Sequence, residues 1–294
     1  MNAIPESIKL IVIDIDGTLL NPQQKITPPT QKAIREARDM GIIVTLATAR
    51  RYEGTREIID KLQLEHPIIL FDGAELIDPI NKKVVLTQTL PAEIGQEAVN
   101  LLVKHDIAPI VHPAVGINEE IWINPEGRDD LWASAYLMMN PEQIRRFPVE
   151  ELCTGKPDPL RVVAFAPEEN INALIPEAKQ LPCDWTTIKR GNYGSAEISF
   201  LGQGTSKATA MQALAKMYKI PMTQVMALGD NNNDFAMLKA AGWGVAMGQA
   251  PEAVKAAASA VTASNQEDGV ALAIERYALR ASTNARSNSL KRVI

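Results

Sequence analysis

Two aspartates two residues apart stand at the end of an apolar run: Asp14-Ile15-Asp16-Gly17-Thr18-Leu19 follows Ile8 to Ile13. At the mouth of a strand, the period of two aims both carboxylates to one side. Two unit charges about 4 Å apart repel by roughly 4 kcal/mol at an effective dielectric near 20, so a divalent cation or a shared proton is expected there. Hard oxygen ligands favour magnesium. A second oxygen-rich segment, Gly229-Asp230-Asn231-Asn232-Asn233-Asp234, follows the apolar run Val225 to Leu228. Thr48 closes a third run and is followed by Ala49, Arg50 and Arg51. Lys207 falls in the first turn of a helix behind Gly202 and Gly204, where a cation can meet a phosphate. A nucleophilic carboxylate, a second carboxylate for proton transfer, metal ligands, a hydroxyl and a lysine form an inventory for phosphoryl transfer.

The elements that must position these groups follow from hydrophobic patterning. Ile8 to Ile13, Ile42 to Ala47, Pro67 to Phe71, Val225 to Leu228 and Gly244 to Met247 are short apolar runs without alternation, as buried parallel strands require. Helices are expected between them: one N-capped by Thr27 with Pro28 at its first position and Gly41 closing it, then one each at Tyr52 to Leu64, Thr205 to Tyr218 and after Asn233. Asp72-Gly73 is a turn, and Ala74 to Leu86 reads as a hairpin. The intervening stretch carries expected helices at Ala92 to Lys104 and Asn172 to Gln180, and strands at Ile117 to Ile123 and Arg161 to Ala166. Alternation is expected to resume with Glu197 to Phe200. The fold expected is therefore a doubly wound parallel α/β sheet, residues 1–83 and 193–294, with an inserted α/β domain at 84–192. In such a sheet the strand ends converge where the strand order reverses, and ligands bind there.

The bulk numbers narrow the class. A length of 294 residues suits two domains, and 46% hydrophobic with 22% charged residues is ordinary for a globular chain. A net charge of −5 without a basic patch argues against nucleic acid as the partner. No run approaches the roughly 20 apolar residues of a membrane span. Cys153 and Cys183 lack CxxC spacing, so they read as structural thiols in a reducing, cytoplasmic setting. The Ser/Asn/Arg/Lys-rich segment from about Ala281 to Ile294 is expected to fray. Nothing in the sequence sets the oligomeric state.

Four segments in order resemble the haloacid dehalogenase-like hydrolases, in particular their Cof-type sugar-phosphatase branch with a large α/β cap. They are Asp14 to Leu19 as DxDGTL, Thr48-Ala49-Arg50, Lys207 within Gly204-Thr205-Ser206-Lys207, and Gly229 to Asp234 as GDxxND. Glu197-Ile198 and Asn265 to Val270 are similar to that branch as well. Ala49 and Ala208 stand where that family prefers glycine, Asn232 widens the polar loop, and Asp72 replaces a more typical asparagine. The resemblance implies a phosphatase of small phosphate esters in which Asp14 attacks phosphorus and Asp16 serves as general acid and then base. It implies Mg2+ on Asp14, Asp230 and the backbone carbonyl of Asp16, supported by Gly17 and Thr18. Thr48, Ala49, Arg50, Lys207 and Asn233 would hold the phosphate, with Asp234 steadying Lys207 or the metal shell. Two rivals use the same groups: a phosphomutase or phosphotransferase, and a phospho-accepting signalling domain, the latter disfavoured because Asp16 is placed to speed dephosphorylation.

The remaining conspicuous residues have plainer readings. Gly229 to Asp234 lacks the glycine and terminal glutamate at the spacing of a calcium loop. His66, His105 and His112 are expected to be surface or partly packed, and Met138, Met139, Met211 and Met217 to fill core. Trp122, Trp132 and Trp185 are core candidates that could also line a pocket.

Overall fold

The computed structural model describes residues 7–124, 131–138, 141–189 and 195–279. In chain order, the first part comprises β1 (Leu10–Ile13), α1 (Pro28–Asp39), β2 (Ile43–Leu46), α2 (Arg56–Leu62), β3 (Ile68–Leu70), β4 (Glu75–Asp78) and β5 (Lys83–Thr87). The middle comprises α3 (Ala92–Lys104), β6 (Ile110–Pro113), β7 (Ile121–Ile123), α4 (Leu131–Leu137), β8 (Ile144–Arg146), β9 (Pro159–Ala166), α5 (Glu168–Ala178), β10 (Asp184–Ile188) and β11 (Ala196–Leu201). Then follow α6 (Lys207–Met217), β12 (Val225–Gly229), α7 (Phe235–Ala240), β13 (Trp243–Ala246), α8 (Glu252–Ala257), β14 (Ala260–Val261) and α9 (Gly269–Ala273).

A five-stranded parallel sheet runs β14-β13-β12-β1-β2, with β1 fully buried between β12 and β2. Alternation along β1 serves two cores. Ile11 and Ile13 pack with Ala33, Ile34 and Ala37 of α1, whereas Leu10 and Val12 pack with Met211 and Leu214 of α6. The Thr27 side chain caps α1 by accepting from the Thr30 amide, Pro28 opens the helix, and Gly41 leaves it at φ +81°. From β1 the chain moves outward to β2 and later returns on the other side as β12. The strand order therefore reverses beside β1, and the carboxyl ends of β1 and β12 meet there.

A second sheet of six strands, β10-β11-β9-β6-β7-β8, is antiparallel except where β8 pairs with β7. Helices α3 and α5 cover one face and α4 packs on the other. The expected resumption of the parallel sheet at Glu197 to Phe200 does not occur. Strand β11 pairs antiparallel with β9 and β10, so the second sheet extends to Leu201. The position of the run, just before a helix, suggested a βα unit, whereas its alternation of Glu197 and Ser199 with apolar residues is the pattern of an antiparallel strand. Similarly, β3 touches the parallel sheet only through the bridge Ala47 to Ile69 and heads an antiparallel sheet with β4 and β5.

Some packing expectations are corrected. His112 is fully buried, its Nε2 paired with the Tyr136 hydroxyl at 3.0 Å. Met138 and Met217 are exposed, since each lies on the outward side at its helix end, whereas Met211 is buried. Trp122 belongs to the core under α3, and Cys153 and Cys183 are free thiols that burial pushes up to about 12 and about 11. The Trp132 side chain, Met139 and residues 281–294 lie outside the described residues.

Candidate active site

The site begins where β1 stops. The Asp14 amide donates to Leu228 O of β12 at 3.0 Å, and the chain then folds back, with the Leu19 amide on Asp14 O at 3.1 Å. Gly17, at φ +85°, lets this turn lie against the second polar loop: a Cβ there would stand 2.4 Å from Asp230 Oδ2. Thr18 Oγ1 donates to Asp230 Oδ1 at 2.9 Å. Asp234 Oδ2 accepts the amides of Asp230 and Asn231 at 2.9 and 3.0 Å, which shapes the loop after β12. Ser206 caps α6, so Lys207 starts the helix with its side chain directed inward. Its Nζ donates to Asp14 Oδ1 at 2.6 Å and to Asp234 Oδ1 at 2.7 Å. Lys207 is therefore not the solvated helix lysine its type alone suggests.

Three carboxylates, those of Asp14, Asp230 and Asp234, bring ligand atoms within 4.8 Å of one another. Lys207 supplies a single positive charge among them. Burial, reinforced by Asp234, raises the Asp14 carboxyl well above its ordinary value despite Lys207. Burial and Asp234 likewise push Asp230 up to about 7. Burial opposes the Lys207 ammonium, but Asp14 and Asp234 override it and hold its pKa above the usual lysine range. An oxygen-only cluster with more negative than positive charge fits a hard divalent cation. Both Asp234 oxygens already carry protein hydrogen bonds, which leaves Asp14 and Asp230 as the side chains best able to hold it.

The other expected residues ring this centre. Asp16 is gripped by Arg50, Nε to Oδ2 at 2.7 Å and Nη2 to Oδ1 at 2.5 Å. Thr48 is buried, its amide donating to Ile69 O and its Oγ1 accepting the Arg50 amide at 3.0 Å. Asn233 Nδ2 donates to Asp72 Oδ1 at 2.9 Å. A cavity of about 340 Å³ opens between Asp72, Lys207 and Asn233 on one side and Asp184, Trp185 and Thr186 of β10 on the other. That volume suits a small molecule.

Sequence reasoning missed two buried polar groups beside this ring. Arg161 of the second sheet reaches both Asp72 and Glu197, and Arg51 meets Glu119. Their signal was a charged residue at alternate positions of an otherwise apolar strand, as in Arg161 of β9 and Glu197 of β11.

Fold and site together define a class. The chain belongs to the haloacid dehalogenase-like hydrolases, whose family pattern it matches over residues 11–274. It is an enzyme of the phosphoric monoester hydrolase type. It is 34% identical over 276 residues to the 5-amino-6-(5-phospho-D-ribitylamino)uracil phosphatase YcsE of Bacillus subtilis, covering 92% of this chain and 96% of that protein. It is 28% identical to the pyridoxal phosphate phosphatase YbhA of Escherichia coli, covering 90% and 96%. Among solved structures, a haloacid dehalogenase-like hydrolase from B. subtilis superposes with a TM-score of 0.75 at 27% identity, covering 92% of this chain and 99% of that one. No helix among the described residues is long and apolar enough to cross a membrane.

Proposed function

We propose that this chain is a magnesium-dependent cytoplasmic phosphatase of small phosphorylated metabolites, sugar phosphates or similar phosphomonoesters, working through an aspartyl-phosphate on Asp14. The observation that carries this reading is the Lys207 ammonium bridging Asp14 and Asp234, with Asp230 beside them. Asp14, Asp230 and the Asp16 carbonyl would hold Mg2+, which supplies the positive charge that lets an anionic nucleophile meet an anionic ester.

A carboxylate oxygen of Asp14 attacks phosphorus, and the bond to the leaving oxygen breaks. Asp16 donates a proton to that oxygen and then takes one from the water that cleaves the acyl-phosphate. Arg50 occupies both Asp16 oxygens. Proton donation therefore requires it to release one, and an incoming phosphate is a suitable alternative partner for the guanidinium. Thr48, the Ala49 amide, Lys207 and Asn233 hold the transferred oxygens, and Asp234 keeps Lys207 aimed. The sequence expectation is a catalytic core of 1–83 and 193–294 with a cap at 84–192; in this reading the cap runs on through β11 and the core resumes after Leu201. The cap covers the site, limiting substrate size and excluding water. Relatives named for a ribitylaminouracil phosphate and for pyridoxal phosphate support a small ester as substrate.

The test is phosphate release from a panel of phosphorylated metabolites and p-nitrophenyl phosphate, with magnesium and with chelator. Wild type should turn over only with magnesium, and Asp14→Asn should lose about three or more orders of magnitude in kcat. Folded wild type without phosphate release would shift the reading to a phosphotransferase.

A further inference from the structure

The turn that carries Asp16 closes on itself and is then held from outside. Within it the Leu19 and Leu20 amides return to Asp14 O at 3.1 Å and Ile15 O at 3.0 Å, and Asp16 pairs with Leu20 across the turn. Two further carbonyls of the turn are taken by side-chain amides from more than 200 positions away. Gln249, in the loop between β13 and α8, donates through Nε2 to Gly17 O at 2.5 Å, a separation of 232 positions. Asn265, in the loop between β14 and α9, donates through Nδ2 to Leu20 O at 2.7 Å, a separation of 245. The two are joined, because the Asn265 amide donates to Gln249 Oε1 at 3.2 Å.

Both loops are closely seated. The Gly248 amide donates to Ala263 O at 3.0 Å, and a Cβ on Gly248 would stand 2.9 Å from the Ser264 nitrogen, so backbone lies on backbone. The Met247 amide donates to Gly229 O at 3.0 Å, which ties the same platform to the strand end that presents Asp230. Asp268 accepts from Thr27 Oγ1 at 2.6 Å, which anchors the second loop to the start of α1.

The turn is already closed by its own bonds and by the contact of Thr18 with Asp230, so what Gln249 and Asn265 add is direction. The Asp16 side chain keeps 27% exposure and lies in the fork of Arg50. A proton donor that must leave that fork when substrate arrives then keeps its place through its backbone. That backbone is fixed at the carbonyl next to Asp16 and at Leu20 opposite it.

We propose that Gln249 and Asn265 are positioning residues for proton transfer: by fixing the turn, they keep Asp16 aimed at the leaving oxygen once Arg50 releases it. A misplacement of about 1 Å in such a group can cost about a hundredfold in rate. The assignment rests on the phosphatase reading above.

The chemistry of the leaving group separates this role from simple support. Benzyl alkoxide leaves only as it gains a proton, whereas p-nitrophenolate leaves without one at neutral pH, so only the benzyl ester depends on the aim of the acid. The ratio kcat/KM reports the steps through departure of the leaving group and not the later hydrolysis of the acyl-phosphate. The experiment measures kcat/KM in magnesium for benzyl phosphate and p-nitrophenyl phosphate, with a urea melt of each preparation. Asp16→Asn sets the full size of the selective loss on the benzyl ester. Gln249→Ala and Asn265→Ala should each lose about tenfold on benzyl phosphate and less than about threefold on p-nitrophenyl phosphate. Gln249→Glu keeps an acceptor for the Asn265 amide but offers Gly17 O no donor. It should show the same selective loss, and it decides the matter if Gln249→Ala fails to fold. Equal losses on the two esters, or none, would make the two residues structural supports and overturn the proposal. So would an Asp16→Asn loss equal on both esters, or a wild type that hydrolyses p-nitrophenyl phosphate but not benzyl phosphate, since no acid would then serve the leaving group. No hydrolysis of either ester by folded wild type would instead remove the phosphatase reading, and the proposal with it.

Discussion

At the residue scale, Lys207 is the one cation among the described residues that touches both Asp14 and Asp234, and all three side chains are almost fully buried. Removing its charge leaves carboxylates facing one another without a counter-ion, a change that costs about 3 kcal/mol or more in comparable buried pairs. Lys207→Met should therefore abolish turnover and lower the urea midpoint, with magnesium restoring part of the stability but not the activity. Glu75 offers a separate test by pH. It is buried on β4 with Oε2 lacking a partner among the described residues, and burial followed by the nearby Glu119 pushes its pKa from 4.5 to about 7. A folded-state value above the unfolded one means a contribution present below about 4.5 that is lost as pH rises through about 7. The gap corresponds to about 3 kcal/mol. Denaturant melts of Glu75→Gln and wild type from pH 5 to pH 9 should show the variant gaining on wild type by up to that amount; a constant difference would mean that Glu75 does not titrate in this range.

At the element scale, the turn after β1 and the loop after β12 hold one another. Gly17 is pinned twice, by its positive φ and by the Asp230 carboxylate 2.4 Å from where a Cβ would lie. Gly17→Ala must therefore move the turn or Asp230, and strain of about 1–2 kcal/mol is the expected minimum. The measurable result is lost stability together with a higher magnesium half-saturation of turnover, since the turn carrying the Asp16 carbonyl and Asp230 are both proposed to hold the metal; unchanged half-saturation would count against that pair as ligands. This mutual fit also explains what could be read in advance. Strands β1 and β12 were legible because their apolar runs lack alternation, and α1 because Thr27, Pro28 and Gly41 mark its ends. The residues of the candidate site could be picked out because each follows such a strand or opens such a helix. Pairing partners could not. The run Ala196–Leu201 alternates polar and apolar residues, unlike the runs of the parallel sheet, but the alternation names no partner, and it is the contacts with β9 and β10 that assign it to the second sheet. Arg161 and Asp72 lie 89 positions apart, so no local pattern could connect them.

At the scale of the whole molecule, the two sheets are tied beside the site by Glu119. This residue lies between β6 and β7, and its carboxylate reaches across to the segment that follows Thr48. Oε1 accepts the Tyr52 amide at 2.5 Å, and Oε2 accepts the Glu53 amide at 3.3 Å and Arg51 Nη1 at 3.4 Å. Arg51 also donates to Gln143 and stands 5.4 Å from the centroid of the Tyr136 ring, so both partners are enclosed by the second sheet and α4. The segment held in this way carries Arg50, whose fork fixes Asp16. Glu119→Ala removes the only carboxylate on Arg51 among the described ion pairs, and a loss of about 3 kcal/mol is expected from an uncompensated buried cation. The diagnostic is local. Amide hydrogen exchange at Tyr52 and Glu53 should accelerate well beyond any change at β1, because those two amides lose their acceptor while the parallel sheet keeps all of its own. Turnover should fall in parallel as Arg50 loses its fixed approach to Asp16. Uniform acceleration across β1 and the turn alike would mean that Glu119 supports global stability only, and that the grip on Asp16 is independent of how the second sheet is seated.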